Sequence, residues 1–179
     1  MEKDILKVLI SEEELKKRTE EMAEEITEYY KGRPLLVVTV LKGSFIFAAD
    51  LMRAIKIPAE IDFMVLSSYG ASTTTSGVVQ IRKDLDRDIK DVEILIVEDI
   101  LDSGMTLAYL KNMLISRGAK SVRICTILNK PSRRKADITP DYVGFDVPDE
   151  FVVGYGLDYA EKYRNLPYVG ILKREVYEN

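Results

Sequence analysis

Between Val97 and Leu107 the chain reads Val-Glu-Asp-Ile-Leu-Asp-Ser-Gly-Met-Thr-Leu, so Glu98, Asp99 and Asp102 stand beside Ser103, Gly104 and Thr106. The apolar run Ile94 to Val97 leads in as a buried strand, and an amphipathic helix leads out. A helix N-terminus leaves several backbone N–H groups unpaired, and Gly104 keeps the approach to them free of a side chain. With the hydroxyls of Ser103 and Thr106, that is a cradle for a phosphate monoester without any Lys or Arg in the loop. Glu98 and Asp99, at the carboxyl end of the strand, suit sugar hydroxyls or a hard cation such as Mg2+, which prefers oxygen ligands. The same residues also fit an ordinary capped helix start, with Asp102 or Ser103 as N-cap and the acids facing the positive helix end.

Further groups stand at the ends of other apolar runs. Lys42-Gly43 follows Pro34 to Leu41 and offers backbone N–H groups and an ammonium to an anion, or simply a turn. Glu60 to Ser68 is followed by Tyr69-Gly70-Ala71-Ser72-Thr73-Thr74-Thr75-Ser76-Gly77, a polar, glycine-flanked excursion that reads as a mobile lid over a ligand or as a hairpin tip. Lys130-Pro131 stops the run Ser121 to Asn129 and places an ammonium at its end. Gly156-Leu157-Asp158-Tyr159 and Arg164 form a polar loop between two short strands. Arg133-Arg134-Lys135 is a basic run that is either solvated or touches a subunit partner or RNA.

Composition closes off other chemistries. The chain has no histidine, which removes Ser-His-Asp triads and imidazole zinc sites and leaves acid–base work to Asp, Glu, Lys or Tyr. Cys125 is the only cysteine and lies in the apolar run Ile124 to Leu128, as a buried thiol would. A net charge of -4 gives no global attraction to nucleic acid or anionic lipid. No apolar run approaches a membrane span, and Met1 to Ile10 carries charges where a secretory peptide needs an apolar stretch. A cytoplasmic, soluble protein follows from this, with all 179 residues in one domain.

The elements that must position these groups alternate. Ser11 to Lys31 reads as a helix opened by a Ser11/Glu14 capping box and stopped by Gly32. Phe45, Ala48, Ala49, Met52 and Ile55 repeat at helical spacing, as do Leu107, Leu110 and Leu114 before Gly118. Strands are expected at Pro34 to Leu41, Glu60 to Ser68, Val78 to Arg82, around Ile94 to Val97, and at Ser121 to Asn129. Shorter ones follow at Tyr142 to Phe145, Phe151 to Tyr155 and Tyr168 to Leu172. Strands alternating with crossover helices predict an α/β fold with a largely parallel central sheet flanked by helices, its ligand crevice at the carboxyl ends of the strands.

The stretch Val97 to Leu107 resembles the phosphoribosyl-pyrophosphate (PRPP) signature of type I phosphoribosyltransferases. Together with Leu41-Lys42-Gly43, Ser67-Ser68-Tyr69-Gly70, Lys130-Pro131 and Phe151 to Asp158, it is similar to the bacterial hypoxanthine-guanine phosphoribosyltransferase family in the same order along nearly the whole chain. The resemblance implies a small hood built from chain-terminal segments beside the main sheet. It implies Mg2+-dependent purine salvage, with PRPP and hypoxanthine or guanine giving IMP or GMP and pyrophosphate. Asp102, Ser103, Gly104, Met105 and Thr106 would surround the 5′-phosphate, and Glu98 and Asp99 would serve the ribose hydroxyls and Mg2+. Lys42, Gly43 and Arg164 would hold pyrophosphate, joined by Ser68 and Tyr69 on lid closure. Lys130 would donate to purine O6, Phe151 would stack on the base, Val152 would offer backbone groups, and Asp158 would bind a second Mg2+. Asp102 would also exchange a proton with purine N7. A homodimer or homotetramer is expected, with neither membrane nor nucleic acid as partner. A regulatory RNA-binding protein on the same scaffold is the alternative, resting on Arg133, Arg134 and Lys135.

Overall fold

The strand Leu35–Leu41 is apolar at all but one position, and a run of that kind is stable only when covered on both faces. In the computed structural model, which describes residues 1–68 and 79–178, it is central to a six-stranded sheet. Numbered along the chain, the strands of this sheet are β2 (Leu35–Leu41), β3 (Ala59–Ser68), β4 (Val79–Lys83), β5 (Glu93–Leu101), β6 (Ser121–Asn129) and β7 (Tyr142–Asp146). Their order is β4-β3-β2-β5-β6-β7, all parallel except β4, which pairs antiparallel with β3. Thr39 faces Val97 across β2 and β5, and Leu101 faces Asn129 across β5 and β6.

Successive side chains of β2 and β5 point to opposite faces and meet different helices. Val37, Leu95 and Val97 pack with Leu15, Met22 and Ile26 of α1 (Glu12–Tyr29) and with Phe47, Ala48 and Leu51 of α2 (Phe45–Ala54). Leu36, Val38, Ile94 and Ile96 pack with Leu107, Leu110 and Leu114 of α3 (Met105–Ser116) on the other face. Cys125 is fully buried in the first of these layers, and that burial pushes its thiol well above the ordinary range. No helix among the described residues is long and apolar enough to cross a membrane.

A second sheet joins the two ends of the chain: β1 (Ile5–Ile10), β9 (Val169–Leu172) and β8 (Val152–Val153), antiparallel in the order β1-β9-β8. The charged Met1 to Ile10 segment gives little local sign of β1, because the pairing that forms it lies at the other end of the chain. The expected strand Phe151 to Tyr155 contracts to Val152–Val153. Gly154, Tyr155 and Gly156 take φ of 96°, 51° and 104° and turn the chain back, with Gly154 N–H donating to Leu157 O at 3.0 Å. The lid residues from Tyr69 onward lie outside the described residues, and Ser68 enters only as the last residue of β3.

The capping box is formed: Ser11 Oγ accepts from Glu14 N–H at 3.2 Å, and a Glu14 carboxyl oxygen accepts from Ser11 N–H at 2.8 Å. These bonds hold the Glu14 carboxyl below its usual range. Its stabilisation is therefore present above the unfolded value, about 4.3, and is lost as pH falls through the lower folded value. Ser11→Ala is expected to lower the denaturant midpoint at pH 7, with the deficit shrinking in acid. An equal deficit at both pH values contradicts the ionised box.

Candidate active site

The chain runs from β2 to β3 on one side of the sheet and returns to place β5 on the other, so the β2/β5 junction is the switch point where open α/β sheets bind ligands. Lys42 and Gly43 follow β2 there, opposite Glu98 and Asp99 near the end of β5. A Cβ on residue 43 would lie 1.7 Å from Asp99 Oδ2, so glycine lets this loop close on the strand with the Asp99 carboxylate where it stands. A Cβ on residue 156 would lie 2.1 Å from Gly43 O, which brings the loop after β8 into the same junction.

Glu98 and Asp99 are recessed side by side. Among the described residues their hydrogen bonds are local: Asp99 N–H donates to Glu98 Oε1 at 3.1 Å and Ile100 N–H to Asp99 Oδ1 at 2.6 Å. Burial raises both carboxyls above the usual range, Glu98 furthest, since the neighbouring Asp99 charge adds to it. Arg164 acts on Asp99 in the opposite sense. A recessed pair of hard oxygen donors that burial disfavours as two anions fits a divalent cation keeping part of its water shell. Among the described residues no three His, Cys, Asp or Glu side chains converge as a ready cation cage. Asp158 stands apart, bonded to Arg164 Nη2 at 2.9 Å and to Glu161 N–H at 2.8 Å.

The α3 end differs from the sequence expectation in two respects. Gly104 is the N-cap, with φ of 80°, and no side chain caps the helix; Ser103 Oγ lies 3.4 Å from Met105 N. Asp102 makes no capping bond to the helix and Ser103 Oγ accepts only the Met105 N–H, so the other N–H groups of the first turn stay open to an acceptor. The glycine is also demanded from behind, because its Cβ would sit 2.6 Å from Ile138 Cγ2. Close packing and a left-handed backbone each call for glycine at this position.

The basic run after β6 is partly exposed, but two of its members, Arg133 and Arg134, are tied to the Asp102 loop. Arg133 Nε donates to Asp102 Oδ1 at 2.8 Å, and Arg134 Nε donates to Asp102 O at 3.1 Å while its guanidinium also reaches Ile138 O and Asn129 Oδ1. Lys135 N–H and Ala136 N–H both donate to Ser103 O. Sequence reasoning treated the loop as free of Arg; the separation of thirty-odd positions hid these partners, and only the adjacency of β5 and β6 supplies them.

Lys130 is 8% exposed, its Nζ donating to Glu150 O at 2.7 Å. Burial holds its ammonium below the usual lysine range, opposed first by the Asp102 charge. Phe151 already has aromatic neighbours: Tyr177 of α4 (Arg174–Tyr177) stacks on it at 4.8 Å, and Tyr159 meets it edge-on at 5.6 Å. Phe151 O accepts from Leu172 N–H, so strand alternation turns the N–H and C=O of Val152 to the open edge of β8. Arg164 Nη1 donates to Gly156 O at 2.8 Å, while its Nε is buried without a hydrogen-bond partner among the described residues. Glu161, which the sequence reading passed over, bonds Lys42 Nζ at 2.8 Å and Arg164 Nη2 at 3.2 Å. A separate groove of 660 Å³ along α1 and α2, lined by Glu12, Lys16, Asp50, Arg53 and Tyr155 among others, contains none of the expected site residues.

The model of the phosphoribosyl transferase domain family matches residues 9–160. Over 179 residues the chain is 57% identical to a hypoxanthine-guanine phosphoribosyltransferase of Bacillus subtilis (strain 168), an alignment that takes in 100% of this chain and 99% of that protein. It is 54% identical over 177 residues to the bifunctional protein TilS/HprT of Listeria monocytogenes serotype 4b (strain F2365), covering 99% of this chain and 27% of that longer protein. The crystal structure of a hypoxanthine phosphoribosyltransferase from Staphylococcus aureus superposes with a TM-score of 0.97 at 50% identity, covering 100% of this chain and 97% of that one.

Gly43→Ala and Gly104→Ala each force an atom into space already filled, and overpacking of this kind costs about 1–3 kcal/mol. Denaturant unfolding is expected to show losses of that size in both variants. Wild-type stability in Gly43→Ala would mean that the loop after β2 does not close on Asp99.

Proposed function

The chain belongs to the phosphoribosyltransferase family, and we propose that it transfers the 5-phosphoribosyl group of PRPP to N9 of hypoxanthine or guanine in a Mg2+-dependent reaction, giving IMP or GMP and pyrophosphate. The observation that carries this reading is the β2/β5 junction, where Gly43 closes on Asp99 beside recessed Glu98 and the uncapped start of α3 lies at the end of the same β5 strand. The relatives at 50–57% identity named above add the purine class.

In this proposal the N–H groups of Ser103 to Thr106, with the Ser103 and Thr106 hydroxyls, hold the 5′-phosphate at the positive end of α3. Glu98 and Asp99 hold the ribose hydroxyls and Mg2+, and Asp158 serves a second ion near the base. Mg2+ held there supplies charge neutralisation to the departing pyrophosphate. Lys42, Gly43 and Arg164 grip that pyrophosphate, and their donors stabilise its growing charge. Ser68 and Tyr69 belong to the lid of the proposal. Lys130 donates to purine O6, Phe151 stacks on the base, and Val152 offers its edge-facing backbone groups. Asp102, held by Arg133, takes or returns the N7 proton as N9 forms its bond to the sugar. The proposal includes a cytoplasmic setting and a homodimer or homotetramer.

The direct test is pyrophosphate release from PRPP with Mg2+ and each purine in turn. Release with hypoxanthine or guanine is expected; no release with any 6-oxopurine overturns the reading. Asp102→Asn is expected to lower kcat by about 10²- to 10⁴-fold, the usual worth of general acid–base help, with PRPP binding retained. An unchanged kcat would remove the proton role from Asp102. Lys130→Met keeps the length of the side chain and loses a charge-assisted bond worth about 1.5–3 kcal/mol, so KM for hypoxanthine should rise roughly 10- to 100-fold. Steady-state kinetics showing an unchanged KM would place O6 elsewhere.

A further inference from the structure

The turn Tyr159 to Lys162 is closed by reciprocal backbone bonds, Tyr159 N–H to Lys162 O at 3.2 Å and Lys162 N–H to Tyr159 O at 3.0 Å. Its two central residues, Ala160 and Glu161, have φ of 51° and 63°. A turn of this kind ordinarily carries Asn or Gly there, because other side chains are strained in the left-handed region. That strain aims one carboxylate. Asp158 accepts the Glu161 N–H at 2.8 Å, and Glu161 then reaches Lys42 Nζ with one oxygen, at 2.8 Å, and Arg164 Nη2 with the other, at 3.2 Å.

Lys42 and Arg164 come from loops far apart in sequence, and they are the two cations that the proposed reaction assigns to pyrophosphate. We propose that Glu161 is an internal anion occupying the place of a pyrophosphate phosphate between Lys42 and Arg164, so that it competes with pyrophosphate and sets how weakly the site holds it. The contact is built to yield. Lys42 and Glu161 are both 66% exposed, where water and salt screen an ion pair, whereas Arg164 is 18% exposed and fixed to Gly156 O. The Glu161 carboxylate, bridging both cations, repels an incoming polyanion. Asp158 keeps its hold on Arg164 Nη2, at 2.9 Å, when Glu161 leaves, so the guanidinium stays in place for the ligand that replaces it. Easy displacement in one direction and competition in the other favour release of pyrophosphate over its retention.

This inference rests on the pyrophosphate role of Lys42 and Arg164, and calorimetric titration with inorganic pyrophosphate and Mg2+ tests it without turnover. Glu161→Gln keeps the size of the side chain and removes its charge; Glu161→Asn also relieves the left-handed strain, which guards against a folding defect. Both are expected to bind pyrophosphate about three- to tenfold more tightly than wild type, the size set by losing two ion pairs of the exposed Glu161 carboxylate, with the gap narrowing at high salt. The KM for hypoxanthine should stay unchanged. Unchanged or weaker pyrophosphate affinity in both variants overturns the competition. Failure of the functional reading is seen separately, as wild-type protein that releases no pyrophosphate from PRPP with any purine.

Discussion

The fit of Gly43 against Asp99 is the constraint on which the rest depends. Two parallel strands leave the sheet in opposite directions at β2 and β5, and the gap between their carboxyl ends is narrow enough that a single Cβ would overlap a carboxylate. That contact fixes where Lys42 points its loop, and the approach of Gly156 to Gly43 O draws in the loop bearing Asp158, Glu161 and Arg164. Three segments spread over more than a hundred residues thus share one junction, held by the close approach of two glycines.

Such a junction works against the stability of the fold. Glu98 and Asp99 are recessed together with no cation bonded to either among the described residues, and burial disfavours their charged forms. The α3 terminus lacks the side-chain cap that α1 possesses, although Ser103 stands one residue away from that role. Sites that must receive a polyanion and a cation commonly keep such unsatisfied groups, and the layers of Leu, Ile and Val on both faces of the sheet offset their cost.

Much of this was legible in the residues. The continuous apolar run of β2, the Ser11/Glu14 box and the leucine spacing of α3 each declare their element locally, and the strand ends then locate the crevice. What the sequence hid were relations made only by long-range pairing. β1 has no local signal because its partner β9 is at the other end of the chain. Arg133 and Arg134 read as a solvated run, yet the β5/β6 register lays them on the Asp102 loop. The crowding of Gly104 by Ile138 behind it is a second demand for glycine that nothing local in the sequence shows. Glu161 carried only one trace, a charged residue in a turn position that favours Asn or Gly, and nothing local shows that Lys42 waits opposite.

The central claim is that the β2/β5 junction and the start of α3 form one nucleotide site. A crystal structure of the protein with IMP and Mg2+ tests it most directly. The account predicts the 5′-phosphate within about 2.7–3.2 Å of backbone N–H groups between Ser103 and Thr106, with purine O6 on Lys130 and the ribose beside Glu98 and Asp99. A phosphate carried on Lys42 alone, or a nucleotide lying in the groove along α1 and α2, would contradict it.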